Sequence, residues 1–197
     1  MKPEIYIFVK SGKMTKEELV ELIDSWENLA YLMHEIARNT EHYQMLMDIA
    51  LYDNRQKSWR AAYLVDKIND NNPELLQPFL NDIIEQVKNE TNESKRRHFL
   101  KLISMNDLSK KQQGFLIDFC IKTFTSAKEA VAVRVHAMQI LFNISQSVPE
   151  LKPEVLAIIE HEIENHPTAG IISRGKKLVK KLRMPKSIKG EGFKLTP

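Results

Sequence analysis

An arginine followed four residues later by a large apolar residue recurs four times in this chain of 197 residues. The pairs are Arg60 with Leu64, Arg96 with Leu100, Arg134 with Met138 and Arg174 with Leu178, in "SWRAAYLVDKI", "KRRHFLKLI", "VRVHAMQIL" and "SRGKKLVKKL". Successive arginines stand 36, 38 and 40 residues apart. A second register runs beside the first: Leu80, Leu116 and Leu156 correspond, as do Ile83, Phe119 and Ile159. Two registers agreeing in two different stretches of the unit define a degenerate repeat. Paired helices with a period of about 35–45 residues cannot bury their apolar faces alone, so they must stack into an α-solenoid.

Within each unit the apolar positions fall three and four apart. This predicts helices over 15–27, 29–38, 41–52, 56–69, 73–88, 93–104, 109–125, 128–146, 151–165 and 171–183. The punctuation has a mechanism. Asn72 stands as an N-cap before Pro73 and Glu74, "VPELKPEVL" repeats the Pro-Glu-Leu start at Pro149, Ser109 caps the following helix, and Pro167 ends another. Short loops make neighbouring helices antiparallel.

The composition agrees. Hydrophobic residues are 43% and charged residues 28%, which describes a folded chain, and glycine is scarce at 6 residues. The single cysteine, Cys120, excludes an intrachain disulfide and a cysteine-based zinc site, in keeping with a cytoplasmic location. No apolar run approaches the ~18 residues of a membrane span, and the run Ile5 to Val9 is too short for a secretory signal. Charge is uneven: residues 171–197 carry nine bases against Glu191 alone, so an acidic body bears a basic end.

Three divisions follow. Residues 1–13 stand outside the repeats; "EIYIFVK" reads as a lone short strand, and Met14 directly precedes the helix start "TKEELVELI", as a second initiation codon or a loosely packed lead segment would. Residues 14–183 form one helical-repeat domain, and 184–197 read as a basic mobile tail.

Over about residues 28–183 the pattern resembles HEAT/armadillo-like repeats, where an arginine near the start of the second helix recurs. The tetratricopeptide pattern, with its W-x2-LG, is absent. The resemblance implies an all-α fold, a right-handed α-α superhelix of about four to five two-helix repeats. The same four segments are similar to a family of small bacterial helical-repeat proteins, some labelled adenylosuccinate lyase. Those lyases carry a Gly-Ser-Ser-x-Met-Pro-x-Lys loop, of which only "MPKS" (Met184 to Ser187) is present, so the label does not transfer.

Candidate chemistry is sparse. "HEIENH" is not a zinc-protease motif, because Asn165 lies four after His161 while His166 lies five on, about 100° further round a helix. "VKSGKMT" lacks the leading glycine of a phosphate loop. Cys120 reads as a buried small residue, and Trp26 and Trp59 as core or inter-repeat packing. No catalytic constellation, cofactor site or metal site is assigned.

What remains is the arginine ladder. Arg60, Arg96, Arg134 and Arg174, with Arg97, His98 and His136, either bridge adjacent repeats or line the concave face. Lys176, Lys177, Lys180, Lys181 and Arg183 form a basic patch in the last helix. The leading expectation is a non-enzymatic module that presents a curved surface to a protein or peptide, without metal or membrane. The alternative is nucleic-acid binding through the ladder and the basic helix, in its sharpest form as a relative of the HEAT-like alkylated-base DNA glycosylases. No active-site motif of that family matches, and the acidic body argues against a broad DNA cleft.

Overall fold

A computed structural model describes residues 14–184. The expected extension 1–13 and all of the expected tail except Met184 lie outside them. The described residues form ten α-helices and no strand: α1 (Lys16–Ser25), α2 (Leu29–Ala37), α3 (Thr40–Tyr52), α4 (Trp59–Asn69), α5 (Leu80–Val87), α6 (Glu93–Ser104), α7 (Lys110–Thr125), α8 (Val131–Ser147), α9 (Lys152–Asn165) and α10 (Ala169–Arg183).

The helix starts are written locally. Thr15 with Glu18, and Ser109 with Gln112, make reciprocal capping boxes at α1 and α7. Asn39, Asn92 and Thr168 cap α3, α6 and α10 through side-chain oxygens. Asn72 does not act as the expected cap; its side chain instead donates to the Ile68 carbonyl. Nor is 73–88 one helix. Residues Pro73–Phe79 form a 3-10 segment, and the α-helix begins only at Leu80. Pro78 explains this, because its ring lacks an N–H and would clash with the carbonyl four residues back in an α-helix.

Helices α3/α4, α5/α6, α7/α8 and α9/α10 pack as pairs, with α1 and α2 packed ahead on α3 and α4. The second helices then stack on one another along the array, α4 on α6, α6 on α8 and α8 on α10. The first helices meet one another far less, chiefly α3 with α5. A layer whose members abut closely, beside one whose members spread, must curve, so the second helices form the inner face. The apolar residues of the ladder, Leu64, Leu100, Met138 and Leu178, are all buried between these layers. Close approach matters most at Gly175, where a Cβ would stand 2.8 Å from Ile163 Cδ1 of α9. No helix among the described residues is long and apolar enough to cross a membrane.

Leu100 is fully buried where the second helix pair joins its neighbours. Leu100→Ala should therefore cost about 2–5 kcal/mol, read as a lower urea midpoint at unchanged slope. A loss under about 0.5 kcal/mol would mean the array does not unfold as one unit.

Candidate binding face and its charged cluster

Three of the four ladder arginines are engaged within the fold. Arg60 donates to the backbone carbonyl of Asp24 at 2.7 Å and lies over the rings of Trp26 and Trp59. Arg96 pairs with Glu129, in the loop before α8, at 2.6 Å. Arg134 is 4% exposed; its Nε donates to the Phe124 carbonyl and its Nη2 pairs with Glu162 of the next helix pair. Sequence reasoning missed a fourth such cation. Lys95 is 1% exposed, with its Nζ 2.9 Å from Glu90 and 3.2 Å from the Asp53 carbonyl. A buried ammonium must be paired, and it ties the α3–α4 loop to the second pair.

The side chains left for the inner face cluster around α4, α6, α8 and α10. Asp66 of α4 is 2% exposed, and both its oxygens are taken. Oδ2 accepts from His98 Nδ1 at 2.9 Å, and Oδ1 from Lys101 Nζ, which also lies 3.5 Å from Asp70. Burial alone would push the Asp66 carboxyl up, but the bonds and charges of His98 and Lys101 outweigh it and hold it below its usual value. Burial pulls the Lys101 ammonium down, and Asp66 and Asp70 reverse that in the same way. Neither Asp66 nor Lys101 stood out in the sequence. The available signal was an acid inside the apolar run "AAYLVDKI", which in a buried helix demands a partner.

Two exposed arginines at this face are oriented by relays. Arg97 Nη2 lies 3.1 Å from His98 Nε2. A guanidinium only donates and a carboxylate only accepts, so His98 donates from Nδ1 to Asp66 and accepts at Nε2 from Arg97. Arg174 donates to Gln139 Oε1 at 2.7 Å; Gln139 donates to Asn143, and Asn143 donates to the Ser104 carbonyl. His136, one turn before Gln139, is half-buried, and its ring makes no hydrogen bond among the described residues. Burial, reinforced by Arg174, Lys101 and Arg97 and opposed by Asp66, lowers its imidazole from 6.5 to about 4. It is neutral at pH 7.

The basic patch of the last helix does not form one surface. Lys176, Lys180 and Arg183 line a groove with Glu160 and Glu164 of α9, and Arg183 pairs with Glu160. Lys181 instead lies 5.9 Å over the ring of Phe142 on α8. Lys177 is exposed. At the other end, Trp26, Trp59 and Tyr63 form a half-buried aromatic corner; Trp26 lies 5.6 Å from Trp59 and 5.3 Å from Tyr63, and Tyr63 meets His98 edge-on. The corner holds Trp26 in a left-handed backbone conformation (φ 58°) at the end of α1.

Other motifs resolve plainly. His161, Glu162 and His166 do come together, with ligand atoms within 4.8 Å of one another. The helical angle expected for His166 does not apply, because α9 ends at Asn165 and His166 leaves helical geometry (φ −131°, ψ 54°), with its Nδ1 3.1 Å from Glu162 Oε2. Glu162 Oε2 in this group is already shared by Arg134 and His166. Cys120 is buried, which pushes its thiol up. The exposed large apolar residues are scattered: Tyr52, Phe115 and Val131 lie in α3, α7 and α8, and Met105 and Met184 just after α6 and α10.

A family model of the HEAT repeat domain matches residues 15–182. This chain belongs to the HEAT-repeat family, as its stacked helix pairs would lead one to expect. Neither a curated protein nor a solved structure matches it.

The Arg134–Glu162 pair has a double-mutant signature. Arg134→Met leaves a carboxylate buried and should cost about 3–5 kcal/mol in chemical denaturation, whereas adding Glu162→Met should restore most of that loss. Equal destabilisation by single and double variants would contradict this pairing. For His136, the unfolded chain takes up a proton from about pH 6.5 and the fold only near pH 4, so stability should fall as pH drops through that window and level off below it. His136→Gln should remove this part of the decline, and the ring should titrate in NMR near pH 4. A midpoint near 6.5 would show the ring to be solvated.

Proposed function

We propose that this protein is a non-enzymatic binding module whose inner face, built from α4, α6, α8 and α10, receives an acidic segment of a partner protein. One observation carries the reading. Arg97 and Arg174 are exposed on this face and are held by directional relays, while the other ladder arginines are engaged inside the fold. A cation already fixed in place loses less conformational entropy on binding than a free surface lysine. The scattered exposed apolar residues give no hydrophobic patch to dock on, so recognition rests on charge and on the aromatic corner.

Nucleic-acid binding draws less support. It needs many unpaired cations along one path, and Arg60, Arg96 and Arg134 are occupied. The lysines of α10 divide between two sides, one of them facing Glu160 and Glu164.

A photo-crosslinking residue at Lys177, one turn after Arg174 on α10, compared with one at Asp118 on the outer helix α7, tests the proposal in cell extract. Crosslinks to an acidic protein segment should form from position 177, fail from 118, and disappear when Arg97 and Arg174 are both changed to Glu. Crosslinks equal at the two positions, or only from 118, would move the binding surface elsewhere.

A further inference from the structure

Arg97, His136 and Arg174 come from three consecutive inner helices, α6, α8 and α10, with α8 in the middle. Arg174 reaches Gln139, one turn after His136 on α8, while Arg97 lines a small cavity with Ala132 and Val133, one turn before it, so the two guanidinium groups flank His136 along α8, and both charges act on its ring. Each arginine is anchored from behind, Arg97 by His98 and Asp66, Arg174 by Gln139, Asn143 and the Ser104 carbonyl. Each of these anchors takes one guanidinium nitrogen and leaves the remaining N–H groups of an exposed fork. Between the two forks stands a neutral imidazole whose N–H has no partner among the described residues.

The charges around the spot do not cancel. Lys67, Arg97, Lys101 and Arg174 face Asp66 and Asp70, and Glu93 lines the same small cavity as Arg97, so the cations exceed the acids by one. A carboxylate needs only one fork. A phosphoryl group brings a charge of about −1.5 to −2 and three acceptor oxygens, which matches two guanidinium forks and one imidazole N–H.

We propose that Arg97, His136 and Arg174 form a phosphoryl-binding site on the inner face, and that it takes a phosphorylated side chain of the bound protein segment. This rests on the reading of the inner face as a protein-binding surface. The site specifies where along that surface the segment is fixed, and it makes attachment dependent on a modification of the partner. The aromatic corner at Trp26, Trp59 and Tyr63 continues from it through the Tyr63–His98 contact and offers a neighbouring apolar anchor.

The test uses the full chain with isotope labels and four probes: inorganic phosphate, an acidic peptide with and without one phosphoserine, and a single-stranded oligonucleotide. Inorganic phosphate should bind saturably and shift the resonances of the His136 ring and of the Arg97 and Arg174 side chains. Arg97→Ala or Arg174→Ala should each weaken it about tenfold or more, as expected for loss of a charged hydrogen-bond donor. Arg97→Lys, which keeps the charge and loses the fork, should fall between wild type and alanine. The phosphoserine peptide should bind more tightly than both its unmodified form and the free anion. Both arginines are exposed, so unchanged circular dichroism and thermal unfolding of the variants separate loss of the site from loss of the fold. No saturable phosphate binding, or binding indifferent to both alanine variants, would overturn the site itself. Phosphate binding at the three residues without any gain for the phosphopeptide would overturn the protein-borne source; the crosslinking from position 177 would still judge the binding face separately. An oligonucleotide that outcompetes the phosphopeptide and depends on both arginines would likewise overturn that source, in favour of a nucleic-acid backbone.

Discussion

Each helix pair of this chain leaves an apolar face that only the next pair covers, and every other feature depends on that contact. Leu64, Leu100, Met138 and Leu178 repeat down the array and are all buried. Burial of this kind is the dominant favourable term in folding, but it is non-directional. The buried and half-buried cations supply direction. Arg60 reaches back to the end of α1, Lys95 to the loop after α3, Arg96 to the turn before α8, and Arg134 to Glu162 of α9. Such pairs contribute little net stability over an apolar replacement, yet a wrong register would leave a buried charge alone, so they penalise slipped packings.

That division of labour explains why the inner face is available for binding. Arg97, one position after the ladder residue Arg96, leaves the interface and is exposed. Because the second helices abut closely, residues from α4, α6, α8 and α10 are brought into a single cluster although they are about 30 to 40 residues apart in sequence. Asp66 is the hub of it. Its carboxylate is satisfied inside the fold by His98 and Lys101, and through His98 it fixes a guanidinium at the surface. A buried, fully partnered acid thereby determines the geometry of an exposed cation.

The outer layer contrasts with this. The grooves beside α5 and α7 and between α9 and α10 are lined by ordinary surface residues, and acids there answer the bases, as Glu160 answers Arg183. The high basic count of the last helix therefore overstates its free charge. Counting charges along a segment says nothing about which side of a helix each one occupies or what the neighbouring helix places opposite it.

Sequence alone determined the architecture: the recurrence of arginine and apolar residue, helical periodicity and local caps such as Ser109 with Gln112 are all encoded within one repeat or less. It erred where one residue overrode the period, at Pro78, and where His166, just past the helix end, was placed by a helical angle although its ring lies beside Glu162. What only the tertiary structure decided is which cations are free. Arg96 and Arg97 are adjacent and chemically identical, yet one meets Glu129 and the other is exposed beside His98. The acid that engages the first and the acid that orients the second lie 33 residues ahead and 31 behind, in other repeats. Their distance in space is set by how the repeats stack, which no local pattern records.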